Sequence, residues 1–398
     1  MTARPTTRAP HAPGSQRRDD RSPDLVVLSH LRWTWVWQRP QHLVSRFAQQ
    51  RAQTGARTWF VEEPVTRDVT VPRLRTAEVG SGVTQVRLEL PEGAAQRGHL
   101  GFDATRAYSS VLAEFLSRQG VTEPEVLLYT PMALDIAEAL NPSRLFYDVM
   151  DDLASFEGAP EGMVLRHRRV LTEADVVVAG GRSLYQGVVD HVSGPCLLAP
   201  SGVETAHFAT ARALRTPRDR PVAGYVGVID ERLDLELVDR LASELPDWTL
   251  RIVGPVTKID PADLPRADNI EYPGMTAYEE LPAVLAGFDV ALMPFALNAA
   301  TRSISPTKTL EYLAAGLPVV STRVPDVVAD YAGVVHLADD GPSFAAACHS
   351  VLQDCPEDRD RRARSIAHSH EWDTIAERLS WAMADAGDPA SAASGARA

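Results

Sequence analysis

Lys308 and Glu311 stand three residues apart, with Thr307 beside them, in the stretch 303–322 that reads SISPTKTLEYLAAGLPVVST. A helix over this stretch puts the ammonium, the carboxylate and the Thr307 hydroxyl on one face, because residues three and four apart are helical neighbours. Ser305 is a cap-type residue, and Pro306 suits the first helical position, where its missing N–H needs no partner. The helix is expected to run to about Ala315, to stop at Gly316 and Pro318, and to be followed by a short buried strand over 319–322. A helix N-terminus offers free N–H groups and a partial positive charge, and Lys308 adds a full charge, so this is a candidate anion pocket. One turn deeper, Glu311 can accept from sugar or ribose hydroxyls. The alternative is an ordinary solvated Lys–Glu pair at helical spacing.

Two further clusters carry chemistry. Residues 24–28 form a buried strand that runs into SHLRWTWVWQRP, a loop with three tryptophans and two arginines. Such a loop, at the carboxyl end of a first strand, is where open α/β sheets bind ligands. His30, Arg32, Trp33 and Arg39 are candidates for ligand contact, with the tryptophans serving equally well as core. Pro40 then opens a helix to about Gln50, with Leu43, Val44 and Phe47 inward. The second cluster is DVMDD. Asp148 ends a strand over 145–148, and Asp151 and Asp152 follow; these carboxylates can hold a hydroxyl, act as a base or bind a divalent ion, or simply serve as turn and cap residues.

The elements that must position these residues alternate. Strand-like segments recur at 58–61, 83–88 and 126–129, with helices near 104–118 and 134–140, which predicts an α/β parallel sheet covered on both faces. A basic helix over 161–172 carries Arg166, His167, Arg168 and Arg169, either as a solvated face or as a groove for a phosphate-bearing or lipid acceptor. A strand over 175–179, a Gly-Gly turn, a Ser183-capped helix to His191 and a strand over 196–199 complete the first unit. The polar, Arg-rich stretch 209–221 marks a boundary.

The second half restarts the pattern, with strands over 222–226, 249–253, 270–272 and 289–293 and helices over 235–244 and 278–287. Gly227, Gly254, Pro273 and Gly274 end three of these strands, where a doubly wound sheet places its ligand loops. Gly227 alone does not make a GxGxxG fingerprint. Helices over 344–353 and 358–384 follow, the latter carrying Trp372, Ile375, Leu379 and Trp381. The expected organisation is a tail over 1–22, Rossmann-like domains over 23–210 and 211–369, a terminal helix over 370–385 packing back on the first domain, and a tail over 386–398.

Composition sets bounds. The chain has 398 residues, 44% hydrophobic and 23% charged, which suits a globular protein of two domains. A net charge of −13 argues against a nucleic-acid partner held by bulk charge. Cys196, Cys348 and Cys355 have neither metal-ligand nor disulfide spacing, which points to a reducing compartment. No apolar run approaches the ~20 residues of a membrane span. The first 22 residues lack the apolar core of a secretion signal and read as a solvated tail. Its arginines (Arg4, Arg8, Arg17, Arg18, Arg21) leave peripheral contact with anionic membrane as an alternative within a cytoplasmic location. No oligomeric state is legible.

With these elements in place, the chain over most of 24–384 resembles the retaining nucleotide-sugar glycosyltransferases of the GT-B fold. The resemblance rests on PSGVE at 200–204 with Phe208, on EYLAAGLPVV at 311–320, on 289–294, and on HEWD at 370–373 before the terminal helix. The segment HLRWTWVWQRPQHL looks like a bacterial subgroup assigned to cell-surface polysaccharide synthesis. The family's donor motif has two glutamates eight residues apart; Glu311 matches the second, and Ser303 stands at the first. The resemblance implies Glu311 on the donor ribose, Lys308 on the diphosphate, Arg232 as a phosphate clamp without the family's accompanying Lys, and Thr307, Ser305, Gly227, Gly254, Pro273 and Gly274 in the donor site. It further implies Asp148 or His30 orienting an acceptor hydroxyl, and Arg32, Trp33, Arg39 and Asp151 on the acceptor side. No metal or other cofactor is expected, since the nucleotide sugar is the co-substrate and the acceptor a glycan or lipid-linked hydroxyl. Two rivals stand beside this reading. A binding protein of the same fold without turnover is one; an NAD-dependent oxidoreductase, which predicts a GxGxxG that neither half contains, is the other.

Overall fold

A computed structural model describes residues 22–92, 105–155, 159, 162–353 and 357–385. The tail arginines at 4, 8, 17, 18 and 21, Cys355, and residues 104 and 161 of two expected helices lie outside them.

The first sheet has eight strands: β1 (Leu25–Ser29), β2 (Thr58–Thr66), β3 (Arg73–Glu78), β4 (Val83–Leu90), β5 (Glu125–Leu128), β6 (Arg144–Val149), β7 (Val176–Ala179) and β8 (Cys196–Leu198). Their order is β3-β4-β2-β1-β5-β6-β7-β8. All pairings are parallel except β3 with β4. The expected parallel sheet is present, with one antiparallel strand added at its edge. RLRTAE has almost no buried side chain, so no apolar period announces it, and it forms by pairing onto β4.

The second sheet contains β9 (Val222–Val226), β10 (Thr249–Val253), β11 (Ile270–Gly274), β12 (Val290–Met293), β13 (Val319–Ser321) and β14 (Val335–Leu337). The order β11-β10-β9-β12-β13-β14, all parallel, is the doubly wound arrangement 3-2-1-4-5-6. Both sheets reverse their winding beside their first strand, at β1/β5 and at β9/β12, so the crevices open at the loops after β1 and β9.

Alternation along β1 sends Leu25 and Val27 to one core and Val26 and Leu28 to the other, burying both faces. The C-terminal helix Trp372–Asp385 belongs to the first of these cores: Trp372, Ile375, Ala376, Leu379 and Met383 pack with Leu43, Phe47 and Phe60. Trp381, in contrast, is 68% exposed. The largely helical stretch expected over 358–384 consists of two helices, Glu357–Ser369 and Trp372–Asp385. Val203 breaks it, donating its N–H to His370 O and accepting from Trp372 N.

Contacts between the domains are specific. The Ser183 N–H and hydroxyl both donate to Asp326, at the start of the helix Pro325–Tyr331. Ser183 therefore does not cap its own helix, Arg182–Val188, whose N-cap is Gly181. Arg182 pairs with Asp330, and Tyr278 donates to Glu204 at 2.7 Å.

Candidate functional site

The loop after β1 faces the loops after β9 and β10 and the helix Thr307–Ala315 across one cleft. Its central cavity is lined by Trp37, Gln38, Arg39, Asp151, Ser201, Tyr225, Gly227, Arg232, Ser305, Thr307, Lys308 and Glu311, among others.

The helix begins one residue later than its sequence suggests. Pro306, in extended conformation, is the N-cap, and the Ser305 side chain makes no cap hydrogen bond. Ser305 instead packs against Gly181 of the first domain, where a Cβ would lie 2.8 Å from its own. Gly316, with φ +73°, ends the helix in the left-handed region. The Thr309 amide donates to Pro306 O at 3.1 Å, and Pro306, Thr307 and Lys308 at the helix start line the cavity. Lys308 Nζ lies 2.7 Å from Glu311 Oε2, and their side chains are only 17% and 5% exposed. This is no solvated surface pair.

Arg232 is held from the other side. Its Nε and Nη2 donate to both oxygens of buried Asp230, at 2.9 and 2.7 Å, which fixes the guanidinium plane. Asp151 faces it from the first domain. Among the described residues its carboxylate is in no hydrogen bond or ion pair, and burial, opposed by Arg232 and Lys258 but reinforced by Asp230 and Asp152, pushes its pKa up to about 6. A carboxyl whose pKa rises on folding favours the fold below its unfolded pKa of 3.8, and that contribution is lost as pH rises through about 6. Asp151→Asn is therefore expected to stabilise the protein by about 1–3 kcal/mol at pH 8, with the gain shrinking below pH 6, as checked by urea unfolding at both ends of that range.

Several sequence candidates lie elsewhere. Asp148 is 2% exposed, and both its oxygens accept from Arg39 Nε, at 3.0 and 2.8 Å. Committed to that pair, it does not present a carboxylate to an acceptor. Arg39 also donates from Nη1 to Ala199 O at 2.7 Å, and its Nη2 is buried and without a partner among the described residues, in a side chain that lines the cavity. Arg32 and Trp33 serve the interior instead. Buried Glu62 accepts from the Trp33 N–H at 2.7 Å, from Gln85 at 2.6 Å and from Arg32 at 3.4 Å. His30 is not among the residues lining the cleft cavities; burial lowers its pKa to about 4, so it is neutral at pH 7.

Pro273 and Gly274 also stay out of the cavities, and Gly274 O accepts from Gly254 N at 2.9 Å. Gly254 does line one. With φ +149°, a Cβ there would sit 1.8 Å from Gly227 O, so this close crossing of two loops requires glycine. Gly254→Ala is expected to cost about 2–4 kcal/mol and to push Gly227 toward the cavity, lowering the thermal midpoint and nucleotide affinity together.

Two cavities flank the central one. The first, mainly apolar, lies between Trp35 and Trp37 of the first domain and Val253, Gly254, Pro255, Met275 and Tyr278 of the second, and it shares Gly227 and Lys308 with the central cavity. Trp37 stacks on Tyr278 at 5.7 Å between centroids and 25° between planes. The three tryptophans thus divide, with Trp33 in the core, Trp37 between the domains and Trp35 42% exposed. The second flanking cavity adjoins through Asp151 and contains Asp152, Tyr147, His167, Ser183 and Ser303.

Sequence reading passed over Trp37 as a ligand-facing residue, and over Ser201, Tyr225, Tyr278 and Lys258. Ser201 sits inside the quoted PSGVE, and Tyr278 at the start of an expected helix. Lys258, whose charge acts on Asp151 and His30, comes from the loop after β10 rather than after β9.

Residues 220–354 match the model of the family described as glycosyl transferases group 1. Over 226 residues the chain is 29% identical to a Bacillus subtilis (strain 168) protein named "Putative teichuronic acid biosynthesis glycosyltransferase TuaH", a match covering 52% of this chain and 56% of that one. The chain thus spans about half the length of that relative. Among solved structures, sucrose-phosphate synthase from Thermosynechococcus elongatus superposes with a TM-score of 0.68 at 17% identity, covering 92% of this chain and 99% of the other. The E. coli trehalose-6-phosphate structure bound with UDP-2-fluoro glucose gives 0.66 at 13%, over 91% and 98%. An alpha,alpha-trehalose-phosphate synthase (UDP-forming) from Burkholderia xenovorans in complex with glucose-6-phosphate gives 0.64 at 14%, over 92% and 100%. The two domains together have the GT-B fold, and the second of them carries the match to the glycosyl transferases group 1 model.

Proposed function

We propose that the chain is a glycosyltransferase that moves a sugar from a nucleoside-diphosphate sugar to a hydroxyl of a glycan or lipid-linked acceptor, with retention, in cell-surface polysaccharide or glycoconjugate synthesis. The observation that carries this is the meeting of Arg232, Lys308 and the start of the helix Thr307–Ala315 in one cavity beside an apolar, aromatic one. The first suits a diphosphate and the second a nucleobase. The named biosynthetic role of the Bacillus subtilis relative supports the cell-surface setting. No helix among the described residues is long and apolar enough to cross a membrane. Exposed Val164 and Leu165 beside Arg168 favour a lipid-linked acceptor met at the inner membrane face.

In this reading the bond between the anomeric carbon and the phosphate oxygen breaks while the acceptor oxygen bonds to that carbon and passes its proton to the departing phosphate oxygen. Negative charge gathers on the departing diphosphate. Arg232 and Lys308, already fixed by Asp230 and Glu311, stabilise that charge without reorganising, which lowers the barrier rather than tightening ground-state binding. Glu311 accepts from the ribose hydroxyls.

The test is nucleoside diphosphate release from a panel of UDP- and GDP-sugars by the full chain. Glu311→Ala should lose at least about tenfold in kcat/KM, the effect of leaving ribose hydroxyls unmatched in a desolvated site. Turnover indifferent to that change would overturn the donor assignment. Tight nucleotide-sugar binding with no hydrolysis and no transfer would instead favour the binding-protein reading.

A further inference from the structure

The cations of the cleft gather in the central cavity, which Asp151 and Glu311 share with them, and this bears on what the acceptor can be. On the donor side stand Arg232, Lys308 and the helix start. On the first-domain side, the cavity beyond Asp151 is lined, among the described residues, by Asp151 and Asp152 and by no lysine or arginine, with Ser303 as the one contribution from the second domain. Its single histidine does not supply a charge. His167 Nδ1 is hydrogen-bonded to the Tyr147 hydroxyl at 2.8 Å, and burial lowers the His167 pKa below its usual value, which favours the neutral imidazole.

Arg232 and Lys258 act on Asp151 from the second domain and Arg168 acts on His167, while the other neighbouring cations are engaged away from this cavity. On the helix bearing His167, Arg166 pairs with Asp135, and Arg169 with Glu138 and Glu173. Arg182, beside Ser183, pairs with Asp330. The Asp152 carboxylate takes the Ser155 hydroxyl at 2.6 Å, and the Asp151 carboxylate has no partner among the described residues. An uncommitted carboxylate accepts well from sugar hydroxyls, whereas a second anion brought against two carboxylates in a partly desolvated cavity is repelled.

We infer that the acceptor enters this cavity with a sugar end carrying no negative charge, and that a sugar phosphate or uronate is excluded from it by Asp151 and Asp152. This rests on the function proposed above and narrows its acceptor class. It also separates the chain from the Burkholderia xenovorans protein, whose structure holds glucose-6-phosphate.

Two measurements on the full chain keep the two ideas apart. Calorimetric titration with UDP and GDP tests the donor site alone; binding by neither defeats the proposed function. Saturation-transfer NMR of the protein, with and without nucleotide, then compares methyl glucoside, N-acetylglucosamine, glucose 6-phosphate and glucuronic acid at equal concentration. The neutral sugars are expected to bind at least about tenfold more tightly than the anionic ones, since like-charge juxtaposition is strongly unfavourable. Ser303→Lys, which adds a cation to the same cavity, is expected to shift that preference toward glucose 6-phosphate. Equal binding of both classes, preference for the anions, or no binding of any of the four overturns the inference.

Discussion

Lys308→Ala is expected to lower kcat for nucleoside diphosphate release by 10²–10³-fold, roughly 3–4 kcal/mol of barrier, the scale found when one preorganised donor to a developing oxyanion is removed. Lys308 is placed for this role by the first turn of the helix Thr307–Ala315, and it is kept there by Glu311 at 2.7 Å. The effect should fall mainly on kcat, because the leaving diphosphate carries more charge in the transition state than in the bound donor. Arg232→Ala should behave alike, with a further cost from leaving Asp230, 2% exposed, without its guanidinium. Steady-state rates with a saturating donor, read beside the thermal unfolding of each variant, separate the two contributions. A change in KM alone would mean that Lys308 binds ground state and transition state equally.

Asp148→Ala is expected to cost about 3–5 kcal/mol in stability, because it strands the Arg39 guanidinium in the interior. Both side chains are 2% exposed, and both Asp148 oxygens are engaged. Burial raises the Asp148 pKa, against the attraction of Arg39. Removing a partner is costly because a buried charge is left uncompensated; removing both need not be. The double replacement Arg39→Met with Asp148→Leu should therefore recover most of the loss in urea unfolding. If the single change at Asp148 left stability untouched while abolishing turnover, Asp148 would be a catalytic group after all.

These two predictions separate what was legible in the sequence from what was not. The Lys308–Glu311 helix face could be read directly, because helical spacing, the proline and the terminal glycine are local. Its start was misplaced by one residue, since Ser305 is drawn into the packing against Gly181 of the other domain. Asp148 and Arg39 were legible as polar residues at the ends of a strand and a loop, which is also how ligand-binding residues look. That they bind each other is a contact across 109 positions, beyond any local signal. The same holds for Arg32 and Trp33, claimed by buried Glu62, and for Ser183, claimed by Asp326.

By itself the sequence determined the two α/β units, the strands that build them and the face of the donor helix, because apolar periodicity, capping residues and glycine stops act within a few residues of chain. Only the tertiary structure decided which charged groups are free to meet a ligand. Arg232 and Lys308 are fixed by partners yet reach the cleft, Asp151 lines it with no hydrogen-bond or ion-pair partner among the described residues, and Asp148 is neutralised by Arg39 in the interior. That sorting follows from desolvation, which binds every buried charge to a partner wherever the folded chain brings one within reach.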